Sequence, residues 1–147
     1  NVQDMKKVCD TLNVKILAYS VIGQGLLTDK TTKDNFSSNR TTKMMNLKYE
    51  SLQPLRECVK RIAANHGSKS MAQVCINWCV AHGAIPLMGC RSVTQARDIV
   101  GALDWELTEG EVRELDGVAL SRSTLDSPTW RRALFVGLAS IAMVVCR

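Results

Sequence analysis

The sequence predicts an α/β fold with parallel strands. Two short apolar segments, residues 15–20 and 84–88, each run into a glycine-containing turn that carries polar and basic residues. Amphipathic segments with helical spacing lie before, between and after them. Strands that alternate with helices are typical of βαβ units joined by right-handed crossovers. Because two strands cannot close a sheet and open strand edges are costly, we expect the chain to be part of a larger fold.

The first strand is expected between a helix and a long loop. Residues 3–12 place their apolar side chains on one helical face, and Asn13 suits the end of that helix. Residues 15–20 are short, continuous and apolar, as expected of a buried parallel strand. Residues 28–47 are rich in Thr, Ser, Asn and Lys, which predicts a long loop of the kind that is usually functional or mobile.

Two helices should follow that loop and lead to the second strand. The first covers about residues 49–66 and has its apolar residues at helical spacing. The second covers residues 71–82 and is apolar on most sides, so it should be deeply packed. Gly67 and Gly83 are placed where a left-handed residue ends each helix. Residues 84–88 then read as a second buried strand.

Polar residues mark the beginnings of the later helices. Ser70 with Gln73, and Thr108 with Glu111, have the spacing of capping boxes. A further helix begins after Ser92, and its apolar stripe comprises Ala96, Ile99, Val100 and Leu103. The last helix of this series follows Thr108. The pattern therefore predicts one helix, a strand, two helices, a strand and two more helices.

Composition favours a globular protein that binds a small anionic ligand. Of the 147 residues, 46% are hydrophobic and 22% are charged, and the net charge is +5. The aromatic residues are only three Trp, two Tyr and two Phe, so the stacking platforms of a single-strand nucleic-acid binder are scarce. A phosphate-bearing small ligand explains this modest basicity better than DNA does, and no nucleic-acid partner is expected.

The cysteines and the chain start suggest the compartment. Six cysteines show no spacing of a compact disulfide framework, and Cys58, Cys75 and Cys79 fall on apolar helical faces. We expect reduced, structural cysteines in an intracellular and most simply cytoplasmic protein, with an organellar location left open. The chain begins at Asn1 without Met and shows no signal or transit peptide, so we expect a fragment of a longer chain.

Five segments carry a family resemblance: residues 18–30, 70–78, 85–98, 101–103 and 107–116. In this order they resemble the carboxy-terminal part of the aldo-keto reductases, closest to the group that contains the potassium-channel beta subunits. The resemblance covers residues 1–120 and implies the last two strands of a (β/α)8 barrel, with their helices, that binds NADPH at its carboxy-terminal rim. Residues 121–147 form a separate tail.

The resemblance assigns cofactor contacts to the turn after the first strand. The family's aromatic residue at the Tyr19 position stacks on the nicotinamide; the alternative is a buried strand tyrosine. Ser20, Ile22 and Gly23 match positions that approach the pyrophosphate, where main-chain N–H groups bind anions. Gly23 is alternatively a plain turn glycine.

Basic loop residues extend this assignment. Lys30 and Arg40 match two basic positions of the channel-beta-like group, with the same ten-residue separation. Basic side chains at these positions fold the loop over the cofactor phosphates. Without the resemblance, both would be read as solvated surface charges.

The turn after the second strand matches the part of the family that holds the adenosine 2′-phosphate and adenine. Gly89 permits close approach, Arg91 supplies a forked donor and the helix N-terminus favours an anion. Gln95 is either a cofactor contact or the second member of a capping box with Ser92. Asp98 is either a cofactor contact or an acidic residue that complements the helix dipole.

Two residues depart from the family pattern, and the catalytic residues are absent. Val21 replaces the usual Pro, and Ile99 replaces the Asn whose amide meets adenine, at a cost of about 1 kcal/mol for the lost hydrogen bond. The catalytic Asp, Tyr, Lys and His of the family precede the matched region. His66 and His82 match no catalytic position, so we assign no catalytic residue and no metal ligand.

The tail and the function leave alternatives open. Residues 133–146 are mostly apolar and follow Arg131 and Arg132, which predicts a short packing helix in 121–147; a membrane anchor through 131–146 and a truncated longer segment are the alternatives. The sequence favours part of an NADPH-dependent reductase of aldehydes and ketones. The alternative is a non-catalytic nicotinamide-binding regulatory subunit that docks on a membrane or protein partner.

Overall fold

The computed structural model describes residues 2–39, 42–43, 47–67, 69–119 and 142–146, with the backbone alone for 2–5 and 142–146. The helices are α1 (Val2–Thr11), α2 (Lys33–Phe36), α3 (Tyr49–Asn65), α4 (Met71–Ala81), α5 (Val93–Val100) and α6 (Glu109–Val118). The strands are β1 (Lys15–Tyr19), β2 (Ile85–Leu87) and β3 (Ala142–Cys146), and a short 3₁₀ turn spans Gly23–Gly25. None of the helices within the described ranges has the length and apolar character that crossing a bilayer requires.

The two predicted strands form a parallel pair. Leu17 of β1 lies opposite Ile85 of β2, and Tyr19 lies opposite Leu87. Both strands therefore end at the same edge of the sheet, which is where parallel α/β proteins place their ligand sites. The predicted α/β class and the parallel pairing are confirmed.

A third strand departs from the expected tail. β3 pairs antiparallel with the other edge of β1, with Val144 opposite Leu17, so the sheet order is β2-β1-β3. The predicted packing helix is therefore wrong for residues 142–146; the rest of that prediction, including Arg131 and Arg132, lies outside the described residues. The physical reason is that β-branched valines favour strands, and β1 offers an unpaired edge.

The helices that precede β2 begin and end as their local sequence indicates. The Ser70 hydroxyl accepts a hydrogen bond from the Gln73 N–H at 3.2 Å, and the Gln73 side chain accepts one from the Ser70 N–H at 3.2 Å. Gly67 and Gly83 follow α3 and α4 with φ angles of +72° and +75°, the left-handed conformation that ends a helix. The predicted capping box and both glycine stops are confirmed.

Part of the predicted long loop is helical. Thr32 and Asn35 form a reciprocal cap at the start of α2, with the Thr32 N–H donating to the Asn35 side chain at 2.9 Å. The Thr42 hydroxyl donates to the carbonyl of Phe36 at 2.6 Å, and Phe36 is buried. These bonds order residues 32–36 and tie Thr42 to Phe36, which the polar composition did not indicate.

The core lies between α3, α4 and the sheet. The larger buried cluster joins α3 and α4 to the turn after β1 and to Leu115 of α6. A smaller cluster of Cys9, Ile16, Ala18 and Cys79 joins α1 and α4 to β1. These clusters hold the turn after β1 rigidly against the helices, because Leu26 and Leu27 of that turn are themselves buried.

Apolar side chains of two predicted helix faces and of the predicted buried strand β2 are exposed. Val8 and Leu12 on the α1 face, Ile85 and Leu87 of β2, and Val100 and Leu103 of the predicted α5 stripe are exposed. Cys9 of the α1 face and Ala84 before β2 are buried, so the described residues cover these faces only in part. The prediction that β2 is a buried strand is therefore wrong in this structure, where β2 is an edge strand.

Candidate functional site

A cleft of about 650 Å³ opens where β1 and β2 end. It is lined by the turn and loop after β1, the turn after β2 and one face of α5, together with two residues at the start of α4. The lining residues of these segments are Ser20, Val21, Ile22, Gln24, Gly25, Thr28, Asp29, Lys30, Ser70, Ala72, Leu87, Met88, Gly89, Arg91, Gln95, Asp98 and Ile99. Seven of the ten residues that the sequence analysis assigned to a cofactor lie in it, namely Ser20, Ile22, Lys30, Gly89, Arg91, Gln95 and Asp98.

The first wall is a tightly wound turn. Ser20, Gly23, Gln24 and Gly25 all have positive φ angles, between +53° and +93°. For Ser20 and Gln24 this backbone conformation is strained, and such strain concentrates at ligand sites. Gly23 is buried, and its N–H donates to the Ser20 carbonyl at 2.8 Å. Gly23 therefore shapes the turn, and its N–H is not the free anion donor that the resemblance implied.

The loop after this turn brings Lys30 to the cleft. Thr28, Asp29 and Lys30 line it together, with Asp29 and Lys30 exposed. Behind them lies the buried guanidinium of Arg56, which the sequence analysis missed although an arginine on the apolar face of a helix was visible in the pattern. Arg40, the second basic loop residue that was predicted, lies outside the described residues.

The second wall is the turn after β2 together with the start of α5. Gly89 and Arg91 are exposed on it, and the Ser92 hydroxyl caps α5 by accepting from the Gln95 N–H at 3.2 Å. The Gln95 side chain does not complete a capping box at Ser92. Its Oε1 accepts from the main-chain N–H of Arg91 at 2.7 Å instead. Gln95 therefore fixes the turn that carries Arg91, and its amide N–H groups are donors beside the cleft.

The face of α5 that lines the cleft is hydrogen-bonded to a side chain of α4. The buried Gln73 donates through Nε2 to the Asp98 carboxylate at 3.1 Å and to the Asp98 carbonyl at 2.8 Å. Ile99 also lines the cleft, so besides belonging to the predicted stripe it offers an apolar contact there. Gln73 was recognised in the sequence only as a capping residue.

Tyr19 does not line the cleft. It is the last residue of β1, half-buried, and sits opposite Leu87 immediately before Ser20. Its backbone is thus next to both walls, and Tyr19 and Arg91 lie at the same edge of the sheet. The stacking role that the resemblance gives Tyr19 remains a prediction.

The cleft is lined by charged residues of both signs. Lys30 and Arg91 supply positive charge, and Asp29 and Asp98 supply negative charge. Because Asp98 is already bonded to Gln73, the cation of Arg91 and the N-terminus of α5 make the most favourable anion site. The arrangement suits an elongated ligand with separate anionic groups.

Each of the two histidines contacts a carboxylate of α6. His66 Nε2 contacts Glu111 Oε1 at 2.8 Å, and its ring stacks on Trp105 with centroids 4.5 Å apart. His82 Nε2 contacts Asp116 Oδ1 at 2.9 Å. Neither histidine lines the cleft. Within the described part of the chain, no three His, Cys, Asp or Glu side chains cluster in a way that suits a metal ion.

The cysteines are free thiols wherever their side chains are described. Cys9, Cys58, Cys75 and Cys79 are buried, and Cys90 is exposed. Burial raises the pKa of Cys75 to about 12 and that of Cys79 to about 11, so neither is a nucleophile at neutral pH. The prediction of reduced, structural cysteines agrees with Cys58, Cys75 and Cys79.

Comparison with known proteins identifies the family. The sequence profile of the aldo/keto reductase family matches residues 1–120. A chloroplastic pyridoxal reductase from Arabidopsis thaliana is 34% identical over 116 residues, which cover 79% of this chain and 32% of that protein. The chain thus spans about a third of the length of this relative. With a match over most of its length, this chain belongs to the aldo/keto reductase family.

Proposed function

We propose that the chain forms the phosphate-binding part of an NADPH site in an aldo-keto reductase that reduces aldehydes or ketones. The observation that carries this proposal is the shared cleft, in which the turns after β1 and β2 face one another. In the same proposal, residues 1–120 are the last two strands and the helices of a (β/α)8 barrel, which is the fold that family membership implies.

The residues present fit NADPH group by group. Arg91, the Gln95 amide and the N-terminus of α5 would hold the adenosine 2′-phosphate, since a forked cation and a helix N-terminus both favour phosphate. Lys30 would meet the pyrophosphate, beside the turn that Ser20 begins. Ile99 supplies an apolar surface where the adenine would lie.

When bound, NADPH would supply the hydride for carbonyl reduction. The residues of this chain would hold and orient it: the preference for NADPH over NADH would come from Arg91, and Tyr19 would support the nicotinamide ring. The proton donor of the reaction is not among the residues assigned here. Reduction is therefore proposed for the whole protein that contains these residues.

The Arabidopsis relative suggests an aldehyde for the first assays. Its name gives pyridoxal as the compound it reduces, and pyridoxal is an aromatic aldehyde that is convenient to follow. We propose aldehydes of this class as substrates of the whole protein. The chloroplast location in that name is also one candidate compartment, beside the cytoplasm.

Fluorescence titration of the whole protein with NADPH and NADP⁺ tests the proposal. Binding with a preference for NADPH over NADH is the expected result, and no binding at millimolar cofactor would overturn it. Oxidation of bound NADPH by pyridoxal would then separate a reductase from a regulatory nicotinamide-binding protein. A regulatory protein would bind the same cofactor with no aldehyde turnover.

A further inference from the structure

A buried arginine lies behind the loop that carries Lys30. Arg56 is in α3 on the same face as Leu52, Leu55 and Val59, and it is 9% exposed. Arginine is rarely buried to this degree unless its charge is compensated. Its position therefore has to be explained by its hydrogen-bond partners.

All of the recorded partners of the Arg56 guanidinium are main-chain carbonyls of one short segment. Nη1 donates to the carbonyls of Leu26 and Thr28, the latter at 3.1 Å, and Nη2 donates to the carbonyl of Thr31 at 2.7 Å. Within the described residues, no carboxylate forms an ion pair with it. The guanidinium thus bonds three carbonyls between residues 26 and 31.

The same segment forms one wall of the cleft. Thr28, Asp29 and Lys30 line the cleft, while the carbonyls of residues 26, 28 and 31 are bonded to Arg56. The hydroxyls of Thr28 and Thr31 both donate to the Gly25 carbonyl, at 2.7 and 2.8 Å, and close the loop on itself. Fixing these carbonyls fixes the path of the chain through Lys30.

We propose that Arg56 is a positioning residue for cofactor binding: it holds residues 26–31 as a rigid wall and thereby presents Lys30 to the cofactor phosphates. This inference rests on the proposed NADPH site. A fork with several N–H donors can bond three carbonyls that point in different directions, which a lysine ammonium on a flexible stem does less well. The contribution of Arg56 to binding is therefore indirect and passes through Lys30.

The test compares Arg56→Met with Arg61→Met in the whole protein. Arg61 is on the same helix, is exposed and pairs with Glu114, so it is a matched control that does not touch the loop. Hydrogen exchange of the amides of residues 26–31 is measured without ligand, and NADPH affinity by titration. Arg56→Met should accelerate that exchange and weaken NADPH binding about tenfold, the loss of roughly one charge-assisted hydrogen bond. Arg61→Met should change neither.

A double-mutant cycle with Lys30→Met separates positioning from general stability. If Arg56 acts through Lys30, its substitution should weaken NADPH binding much less in the Lys30→Met background. Equal losses in both backgrounds would overturn the inference. Because a lost buried guanidinium can prevent folding, Arg56→Lys is the second variant, and it is expected to fold with intermediate exchange rates and intermediate affinity.

The outcomes distinguish this inference from the proposed function. If the wild-type protein does not bind NADPH, the proposed function fails and the cofactor role of Arg56 fails with it. If the wild-type protein binds NADPH and Arg56→Met binds it equally well, the inference about Arg56 alone is wrong. Unchanged exchange of residues 26–31 in Arg56→Met or Arg56→Lys would also overturn it.

Discussion

The side-chain amide of Gln73 donates to the carboxylate of Asp98 at 3.1 Å and to its carbonyl at 2.8 Å. Gln73 is buried in α4, whereas Asp98 lines the cleft from α5. A residue outside the cleft thus fixes the carboxylate of one inside it. The α4–α5 packing and the cleft wall are therefore coupled through a single amide.

Gly101→Ala should break the hydrogen bonds between Gln73 and Asp98 without substituting either residue. The backbone at Gly101 has φ −63°, which alanine adopts readily, but a β-carbon there would overlap Nε2 of Gln73. The displaced amide should release Asp98 and weaken NADPH binding about 3- to 10-fold, as expected for one hydrogen bond. Fluorescence titration measures the change.

Gly117→Ala is the matched control. A β-carbon at Gly117 meets no atom within 4 Å, and the residue lies inside α6. This substitution should leave NADPH binding unchanged and stabilise the protein by about 0.5–1 kcal/mol through helix propensity. Equal NADPH affinities for the Gly101→Ala and wild-type proteins would contradict the coupling.

Arg91→Met should remove the preference for NADPH over NADH. Arg91 lines the cleft and is the cation proposed to bind the 2′-phosphate. A charge-assisted hydrogen bond contributes about 1.5–3 kcal/mol, so NADPH affinity should fall at least about tenfold. NADH affinity should change little, because NADH lacks the 2′-phosphate. Arg97→Met on the same helix is the control, since Arg97 does not line the cleft. An unchanged ratio of the two affinities would argue against the assignment.

Local sequence signals predicted the parts of the fold that depend on neighbouring residues. The cap at Ser70 and the glycine stop at Gly83 follow from patterns within a few residues, and the parallel pair of β1 and β2 follows from the alternation of strands with helices. Arg56 and β3 were not predicted, because their partners are 25 to 30 residues away or farther. No local pattern shows that main-chain carbonyls of residues 26–31 would surround Arg56. Nor does one show that residues 142–146 would pair with the open edge of β1.

The sequence also indicated which residues would lie near one another, whereas their roles toward a cofactor stay predictions. Most of the assigned residues share one cleft because their order along two parallel strands fixes where they meet. The hydrogen bonds of Gln95 and Asp98 could not be predicted from the sequence. The first depends on how the Gln95 side chain turns back to the Arg91 N–H, and the second on how α4 brings Gln73 to Asp98.

Cys90 should be the fast-reacting thiol of the folded protein. It is exposed next to Arg91, whereas Cys75 and Cys79 are buried with a pKa raised to about 12 and about 11. In a Cys146→Ser background, a thiol reagent should modify Cys90 rapidly and the buried thiols only after unfolding. Saturating NADPH should slow the reaction, and Cys90→Ser should abolish the fast phase. A rate that is unaffected by NADPH would count against a phosphate site at this turn.

The exposed edge of the sheet should make the 147-residue chain self-associate. Ile85 and Leu87 are 48% and 45% exposed on β2, an edge strand of the sheet. Apolar edge strands pair with other chains. Sedimentation velocity should show that the chain associates. Replacing both Ile85 and Leu87 by Thr should reduce this association, whereas Val80→Thr, at a similarly exposed helix position, should not. A monomer with a sharp cooperative melting transition would refute this expectation.

Acid should destabilise the protein through Glu111. Its Oε2 accepts from the Thr108 N–H and hydroxyl, each at 2.8 Å, and its Oε1 lies 2.8 Å from Nε2 of His66. Burial raises the pKa of Glu111, but the hydrogen bonds from Thr108 and His66 outweigh it, so the net pKa lies below its usual 4.5. The fold therefore favours the ionised carboxylate.

The sign of the pH dependence follows from that lowered pKa. The stabilising contribution of Glu111 is complete above the unfolded-state pKa of 4.5 and is lost as the pH falls through the lower folded-state pKa. Glu111→Gln can keep the capping geometry, as Gln73 does at Ser70, but it loses the negative charge in the first turn of α6. It should therefore cost about 0.3–1 kcal/mol at neutral pH, and its free energy of unfolding should fall less steeply in acid. Urea unfolding at a series of pH values measures both. The control is Glu109→Gln, in the same first turn, which should keep the wild-type acid dependence. If the stability of Glu111→Gln fell in acid as steeply as that of the wild-type protein, other carboxylates would be responsible.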